Sequence, residues 1–171
     1  QHCKIKTSLF TDVKSNPILD NIILGIKAVK SGKHDGIIAI GGGSVLDSGK
    51  TIALTALQER PLWDFEDKED NYKRINKKNI LPLIAIPTTS GTGSEVGSVA
   101  LIIDEIRQQK RFIFHPDMVP NLVIADPTLT VSLPPFLTAV TGMDALTHNL
   151  EAYCSPDYHP MADGMALEGL R

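Results

Sequence analysis

A chain of 171 residues, 42% apolar and 22% charged, is long enough for one domain with a core and has the balance of an ordinary globular protein. Its formal net charge of -3 gives no electrostatic case for binding nucleic acid or an anionic membrane. No apolar run approaches membrane-spanning length. Cys3 and Cys154 lie far apart and nothing supports a disulfide between them, so a reducing cytoplasm is the simpler setting. The opening Gln1-His2-Cys3-Lys4 is neither a start methionine nor a signal peptide. The last stretch, Pro160 to Arg171, reads as a helix whose Met161, Met165 and Leu170 have little to pack against. The expectation is a piece of a longer protein, cut at both ends.

In chain order, Ser8-Leu9-Phe10 reads as a short strand leading to a turn at Ser15-Asn16-Pro17. Ile18 to Ser31 carries helical spacing at Ile18, Ile22, Ile23, Ile26 and Val29, with Gly32 as its end. Ile37-Ile38-Ala39-Ile40 is a β-branched run expected to be buried on both faces, the mark of a parallel sheet.

Gly41-Gly42-Gly43-Ser44 follows that strand, and a helical pattern runs from Val45 through Leu57. Glycines let the backbone approach a ligand, and the free N–H groups and dipole of a helix N-terminus favour phosphate. Ser44 is the natural N-cap, with Asp47 completing a capping-box-like pair. A tight turn that needs glycine only for its backbone angles is the plainer alternative. The pattern is not G-x-G-x-x-G, so a standard dinucleotide fingerprint is not indicated.

Residues 63–79 are heavily charged and read as a solvated surface loop, pinned at its start by Trp63 and Phe65. Ile80 to Ile86 is a second buried strand. It runs into Pro87-Thr88-Thr89-Ser90-Gly91-Thr92-Gly93-Ser94-Glu95, and ligands of open α/β sheets bind at that edge. Hydroxyls there suit a phosphate, a ribose or an amide, although some only cap the chain that follows. Ser98 to Ile103 and Arg111 to Phe114 read as paired strands around a charged turn at 104–110. Leu122 to Ala125 is a third buried strand, ending at Asp126-Pro127. Pro135 sits near the first position of the next helix.

That helix, Thr141 to Tyr153, places Asp144 and His148 four residues apart, on one face and one turn apart. Such a pair can grip a divalent metal from one side. It can equally be a helix-face Asp–His hydrogen bond with no metal.

Three segments stand in series: Gly41 to Lys50, Pro87 to Val96, and Gly142 to Tyr153. In this order and spacing, with Asp126-Pro127 and Leu133-Pro134-Pro135, almost the whole chain resembles the iron-dependent (group III) alcohol dehydrogenase family. The resemblance implies an α/β fold: a nucleotide-binding domain with a parallel sheet, like that of dehydroquinate synthase, over residues 1–133. The start of an all-helical domain would occupy residues 134–171. It implies a chain more than twice this length, and a fragment inactive by itself. It implies NAD or NADP, with NAD favoured, and Fe²⁺, with Zn²⁺ as the other choice.

Carried over residue by residue, Gly42, Gly43 and Ser44 meet the pyrophosphate and Asp47 reaches towards the nicotinamide. Thr88, Thr89 and Thr92 match the cofactor-loop threonines, Asn16 an Asn before Pro at the adenosine end, and Lys110 a cofactor-contacting lysine whose register against Arg111 is open by one residue. Leu129 is a weaker match. Asp144 and His148 match the family's Asp and first His among four metal ligands; the other two lie downstream of Arg171, and His159 is too close to replace them. The implied activity is reversible hydride transfer between nicotinamide and a small primary alcohol, diol or hydroxy acid, giving aldehyde or ketone, in a homo-oligomer when full length. The rivals are a dehydroquinate-synthase-like or glycerol-dehydrogenase-like relative and a non-catalytic dinucleotide-binding module.

Overall fold

The computed structural model describes residues 5–171. Cys3 therefore lies outside the described residues, and Cys154 is exposed. Helix α1 (Leu19–Gly32) opens where Asn21 Oδ1 accepts from the Ile18 N–H at 3.2 Å. It ends at Gly32, as expected, and Lys33 after it takes the left-handed conformation with φ +52°. The space a Cβ of Gly32 would need is filled by the His34 ring. Ser8 to Phe10 forms no strand: it has no sheet partner, Leu9 is exposed, and Ser8 Oγ instead lies 2.5 Å from His34 Nε2.

Strand β1 (Ile37–Gly41), helix α2 (Gly43–Thr55) and strand β2 (Leu83–Pro87) form the centre of the fold. β1 pairs parallel with β2 from Ile37 opposite Leu83 to Gly41 opposite Pro87. β2 in turn pairs parallel with β5 (Leu122–Val123), giving the order β1-β2-β5. The parallel sheet expected from the apolar runs is there, but two details differ. Ala39 is buried under α2 while Ile38 and Ile40 are more than half exposed, so described elements cover only one face of β1. The third run pairs over just two residues at the sheet edge, with Leu122 half exposed. Period-two alternation decides these exposures, and an apolar run does not reveal how many faces are covered.

Helix α2 is the most deeply packed element. Leu46, Ile52, Ala53 and Leu54 are buried against Ala39, Leu83 and Ala85, and each fully buried aliphatic side chain contributes roughly 1.5–3 kcal/mol. Its buried hydroxyls do not waste hydrogen bonds: Ser48 donates to the Ser44 carbonyl at 2.8 Å, Thr51 to Asp47 at 2.8 Å and Thr55 to Thr51 at 2.7 Å. Gly49 lies so close to Ala39 that an added Cβ would sit 2.7 Å from that side chain.

An antiparallel hairpin, β3 (Val99–Asp104) and β4 (Gln109–Phe114), packs beside α2. Ala100, Ile102, Arg111 and Ile113 face inwards and are buried. Leu101 and Phe112, opposite each other, share the other face, as do Ile103 and Lys110. The 62–79 segment folds into three short 3₁₀ turns, with Phe65 fully buried and Trp63 packed on the core, as expected. One of its charges departs from the solvated reading. Glu66 is buried and pairs with Arg111, which also bonds Asp104 Oδ2 at 2.9 Å and lies 4.1 Å from the centre of the Trp63 ring.

Helix α3 (Pro135–Tyr153) begins with Pro135 at its first position, and α4 (Pro160–Gly169) packs back on it. α3 has no buried residue; Phe136, Leu137, Val140, Met143, Leu146 and Leu150 are all exposed.

Candidate functional site

Because β1 and β2 are parallel and in register, Gly41 ends beside Pro87. The glycine turn and the hydroxyl-rich loop of residues 88–97 therefore leave the sheet side by side, at its carboxyl edge. The Thr88 N–H donates to the Gly41 carbonyl at 3.0 Å and ties the two loops together. Thr89 and Thr92 then stand over the start of α2. A Cβ on Gly42 would lie 3.1 Å from Thr89 Cγ2, and one on Gly43 would lie 2.8 Å from Thr92 Cγ2. The glycines are thus small because threonines occupy the space above them, which the tight-turn alternative does not account for.

The N-cap is Gly42, not Ser44. Gly42 is extended, and its carbonyl accepts from Val45 and Leu46 at 3.0 and 3.1 Å, so Ser44 is already inside the first turn. The N–H groups of Gly43 and Ser44 come before these bonds, and both residues line the cleft. Ser44 Oγ accepts from the Asn16 N–H at 3.1 Å, which leaves the hydroxyl proton free to donate elsewhere. Asn16 holds this position with φ +57°.

Asp47 also departs from the capping-box expectation. Its Oδ1 accepts from Ser94 Oγ at 2.5 Å and pairs with Lys50 Nζ at 3.0 Å, while Oδ2 accepts from the Leu101 N–H at 2.9 Å. A carboxylate with a buried cation one turn away and a hydroxyl facing it gains more from those partners than from its own helix start. Lys50 has no exposed side-chain surface and also donates to the carbonyls of Gly97 and Val99. Burial lowers its pKa from the usual lysine range, and the Asp47 carboxylate opposes that shift.

One cleft of about 500 Å³ runs from this helix start to α3. Asn16, Gly43, Ser44, Asp47 and Thr92 line one end; Asp144 and His148 line the other. Pro17, Gly93 and Ser94 also line it, together with Gly97, Val99, Leu101 and Phe112, which no sequence motif singles out. Phe112 was findable in principle, being an apolar residue two along from Lys110 on the solvent side of β4. Gly42 and Thr89 lie behind the lining, and Lys110 and Leu129 are placed outside it. Of the two neighbours, Arg111 points into the protein, to Glu66 and Asp104, and Lys110 is exposed.

His148 Nε2 and Asp144 Oδ1 are 3.9 Å apart. That exceeds a hydrogen bond, so the simple Asp–His bond is not the arrangement found. It is a gap that an ion with bonds of about 2.0–2.2 Å can bridge. His148 Nδ1 lies 3.3 Å from the Gly91 carbonyl oxygen. Among the described residues no third His, Cys, Asp or Glu joins the pair. His159 is engaged elsewhere, its Nδ1 accepting from the Ala162 N–H at 3.3 Å as the cap of α4.

Comparison with known proteins decides the family. A profile described as iron-containing alcohol dehydrogenase matches residues 1–127, and one described as the C-terminal part of the Fe-containing alcohol dehydrogenase family matches residues 138–171. The chain belongs to the iron-containing alcohol dehydrogenase family. It is 40% identical over 167 residues to a 4-hydroxybutyrate dehydrogenase of Cupriavidus necator, covering 97% of this chain and 43% of that protein. It is 39% identical over 163 residues to long-chain-alcohol dehydrogenase 1 of Geobacillus thermodenitrificans, covering 95% of this chain and 40% of the relative. The crystal structure of sulfoacetaldehyde reductase from Bifidobacterium kashiwanohense in complex with NAD⁺ superposes with a TM-score of 0.85 at 33% identity, covering 94% of this chain and 42% of that one. The chain thus spans about two fifths of the length of these relatives. Family membership carries the α/β fold with its parallel sheet.

Proposed function

We propose that this chain is the nucleotide-binding part, with the first two metal ligands, of an oxidoreductase that moves hydride reversibly between a small alcohol and NAD. NADP is the second choice of nucleotide, and the alcohol is a primary alcohol, diol or hydroxy acid that yields an aldehyde or ketone. One observation carries the reading: a helix N-terminus built for phosphate and an Asp–His pair built for a cation line the same cleft. The relatives named above as dehydrogenases, and the reductase solved with NAD⁺, support it.

The residues fit both groups. The turn at Gly42 and Gly43 leaves the Gly43 and Ser44 N–H groups for a pyrophosphate, and the first turn of α2 carries no acidic residue. One carboxylate and one imidazole suit Fe²⁺, with Zn²⁺ as the alternative, and the rest of the ligand set is to come from two histidines elsewhere in the full-length protein. When bound, the metal supplies Lewis acidity at the alcohol oxygen and the nicotinamide accepts the hydride. Ser44, its acceptor side filled by Asn16, donates its proton to a phosphate oxygen. Asp47, held on three sides, presents a fixed carboxylate on the path from phosphate to nicotinamide. Asp144 and His148 orient the alcohol from α3. Thr88, Thr89, Lys110 and Leu129 belong to the nucleotide set on family resemblance.

Residues 1–133 then form the nucleotide domain, and residues 134–171 open a helical domain. The exposed apolar side chains of α3 are its packing surface for further helices. The chain alone, with two ligands of four, is inactive in this reading; the full-length protein is a cytoplasmic homo-oligomer. No helix among the described residues is long and apolar enough to cross a membrane. The test is His148→Ala in the full-length protein. Bound metal and alcohol-dependent NAD⁺ reduction should be lost, while NADH affinity stays within about threefold because the glycine turn is braced by Thr88, Thr89 and Thr92 rather than by His148. Unchanged turnover would sink the assignment.

A further inference from the structure

The two ends of the cleft are joined at Gly91. Its carbonyl oxygen faces His148 Nδ1 at 3.3 Å, and a Cβ on it would run into the main chain of Thr141, carbonyl oxygen first. A carbonyl oxygen can only accept, so in neutral His148 this contact puts the proton on Nδ1. Nε2, the nitrogen on the Asp144 side, keeps its lone pair.

From this we infer that Gly91 is a positioning residue: its main chain selects the tautomer and ring direction of His148, and the absent side chain permits the approach. The inference rests on the reading above that His148 is a metal ligand. Thr141 stands seven residues before His148, two turns away on the same face of α3. Bringing the Gly91 carbonyl to the imidazole therefore presses its Cα against the helix backbone at Thr141. No rotamer change relieves a clash with backbone, so any side chain at 91 forces the loop and α3 apart. The nucleotide end is braced separately, by Thr89 and Thr92 over Gly42 and Gly43 and by the Thr88 bond to Gly41. Widening the gap at Gly91 thus acts on the histidine before it acts on the phosphate site.

The experiment uses full-length protein, metal-free, with ¹⁵N-labelled histidine, in mildly alkaline buffer. His148 signals are assigned by their loss in His148→Ala. A long-range ¹H–¹⁵N spectrum should show His148 protonated at Nδ1 and bare at Nε2. Gly91→Ala should mix the two tautomers and raise the Zn²⁺ dissociation constant, measured against a competing chelator, by about 10–100-fold. NADH affinity should change by less than about threefold. A proton on Nε2 in the wild type, or unchanged Zn²⁺ affinity in Gly91→Ala, overturns the inference. The wild-type spectrum decides it even where the variant does not fold. Unchanged Zn²⁺ affinity in His148→Ala would instead overturn the functional reading, and the tautomer spectrum separates the two results.

Discussion

Arg111 is the cation that fastens the 62–79 segment to the hairpin, and withdrawing it should be costly. Its side chain is 7% exposed, and the carboxylates it serves, on Asp104 and Glu66, are 7% and 11% exposed. Arg111→Met keeps an apolar stem over Trp63 and removes the charge. Lys68 remains 3.1 Å from Glu66 but is 62% exposed, so solvent screens it. Breaking a buried pair by removing one partner costs about 3–5 kcal/mol. Loss of the guanidinium from the Trp63 face adds about 0.5–1 kcal/mol. Opening of the segment to water offsets part of this, which places the expectation near 3 kcal/mol. For a urea slope of about 2 kcal/mol per molar, the midpoint falls by about 1.5 M.

The pH dependence adds a second check on Arg111. Its hydrogen bond is the largest influence holding the Glu66 carboxyl below the usual glutamate range, with burial opposing it and Lys68 assisting. At Asp104 burial pushes upwards, but bonds from the Arg107 N–H and from Arg111 outweigh it, and that pKa is lowered too. A depressed carboxyl pKa contributes stability above the unfolded value and loses it as pH falls through the folded one. The difference between wild type and Arg111→Met should therefore shrink below about pH 4. The assay is urea unfolding of full-length proteins at neutral and acid pH, followed by tryptophan fluorescence and far-UV circular dichroism. A difference under about 1 kcal/mol at neutral pH, as for an exposed pair, would refute the reasoning. So would a difference that survives acidification intact.

Two further pairs of substitutions probe the proposed phosphate end. Gly43→Ala puts a methyl 2.8 Å from Thr92 Cγ2, an overpacking worth about 1–3 kcal/mol that should weaken NADH binding in a fluorescence titration. Thr92→Ser in the same chain removes that methyl and should recover part of the loss; full affinity in Gly43→Ala alone would show that the threonine does not confine the turn. Asn16→Val places a β-branched residue at φ +57° and should cost about 1–2 kcal/mol in thermal or urea unfolding, while Asn16→Gly should be close to neutral. Equal stability of the Val and Gly variants would contradict the backbone assignment.

What the sequence made legible was local. The strand, glycine turn and helix at 37–55, the hairpin around 104–110 and the start of α3 at Pro135 each follow from short-range patterns, and each is found. Burial was less legible. The runs at 37–40 and 122–125 look alike as apolar segments, yet one is a five-residue strand with a bare face and the other pairs over two residues. Such differences depend on what the rest of the fold lays against a strand. Glu66 shows the same limit from the other side. In a charged run it is indistinguishable from Asp67 or Glu69, and only the inward side of β4, carrying Arg111, singles it out.

The candidate site divides in the same way. Ser44 and Asp47 were readable as polar residues at a helix start, and the capping rule then assigned them to each other. The fold gives both to long-range partners, Asn16 for one and Ser94, Leu101 and Lys50 for the other, because a carboxylate beside a buried lysine has stronger claims than a cap. Asp144 and His148 were readable from spacing alone, but spacing could not distinguish a bonded pair from an open one. The 3.9 Å gap, with Nδ1 turned to the Gly91 carbonyl, makes that distinction. A histidine bonded to its neighbouring Asp would have no nitrogen to spare for the loop as well as for a cation. Here one nitrogen faces the Gly91 carbonyl and the other is left beside a carboxylate. In the proposed reading the helix pair is half of a metal site whose orientation is set from residues 88–97, and a change in that loop should be felt at His148 before it is felt at Asp144.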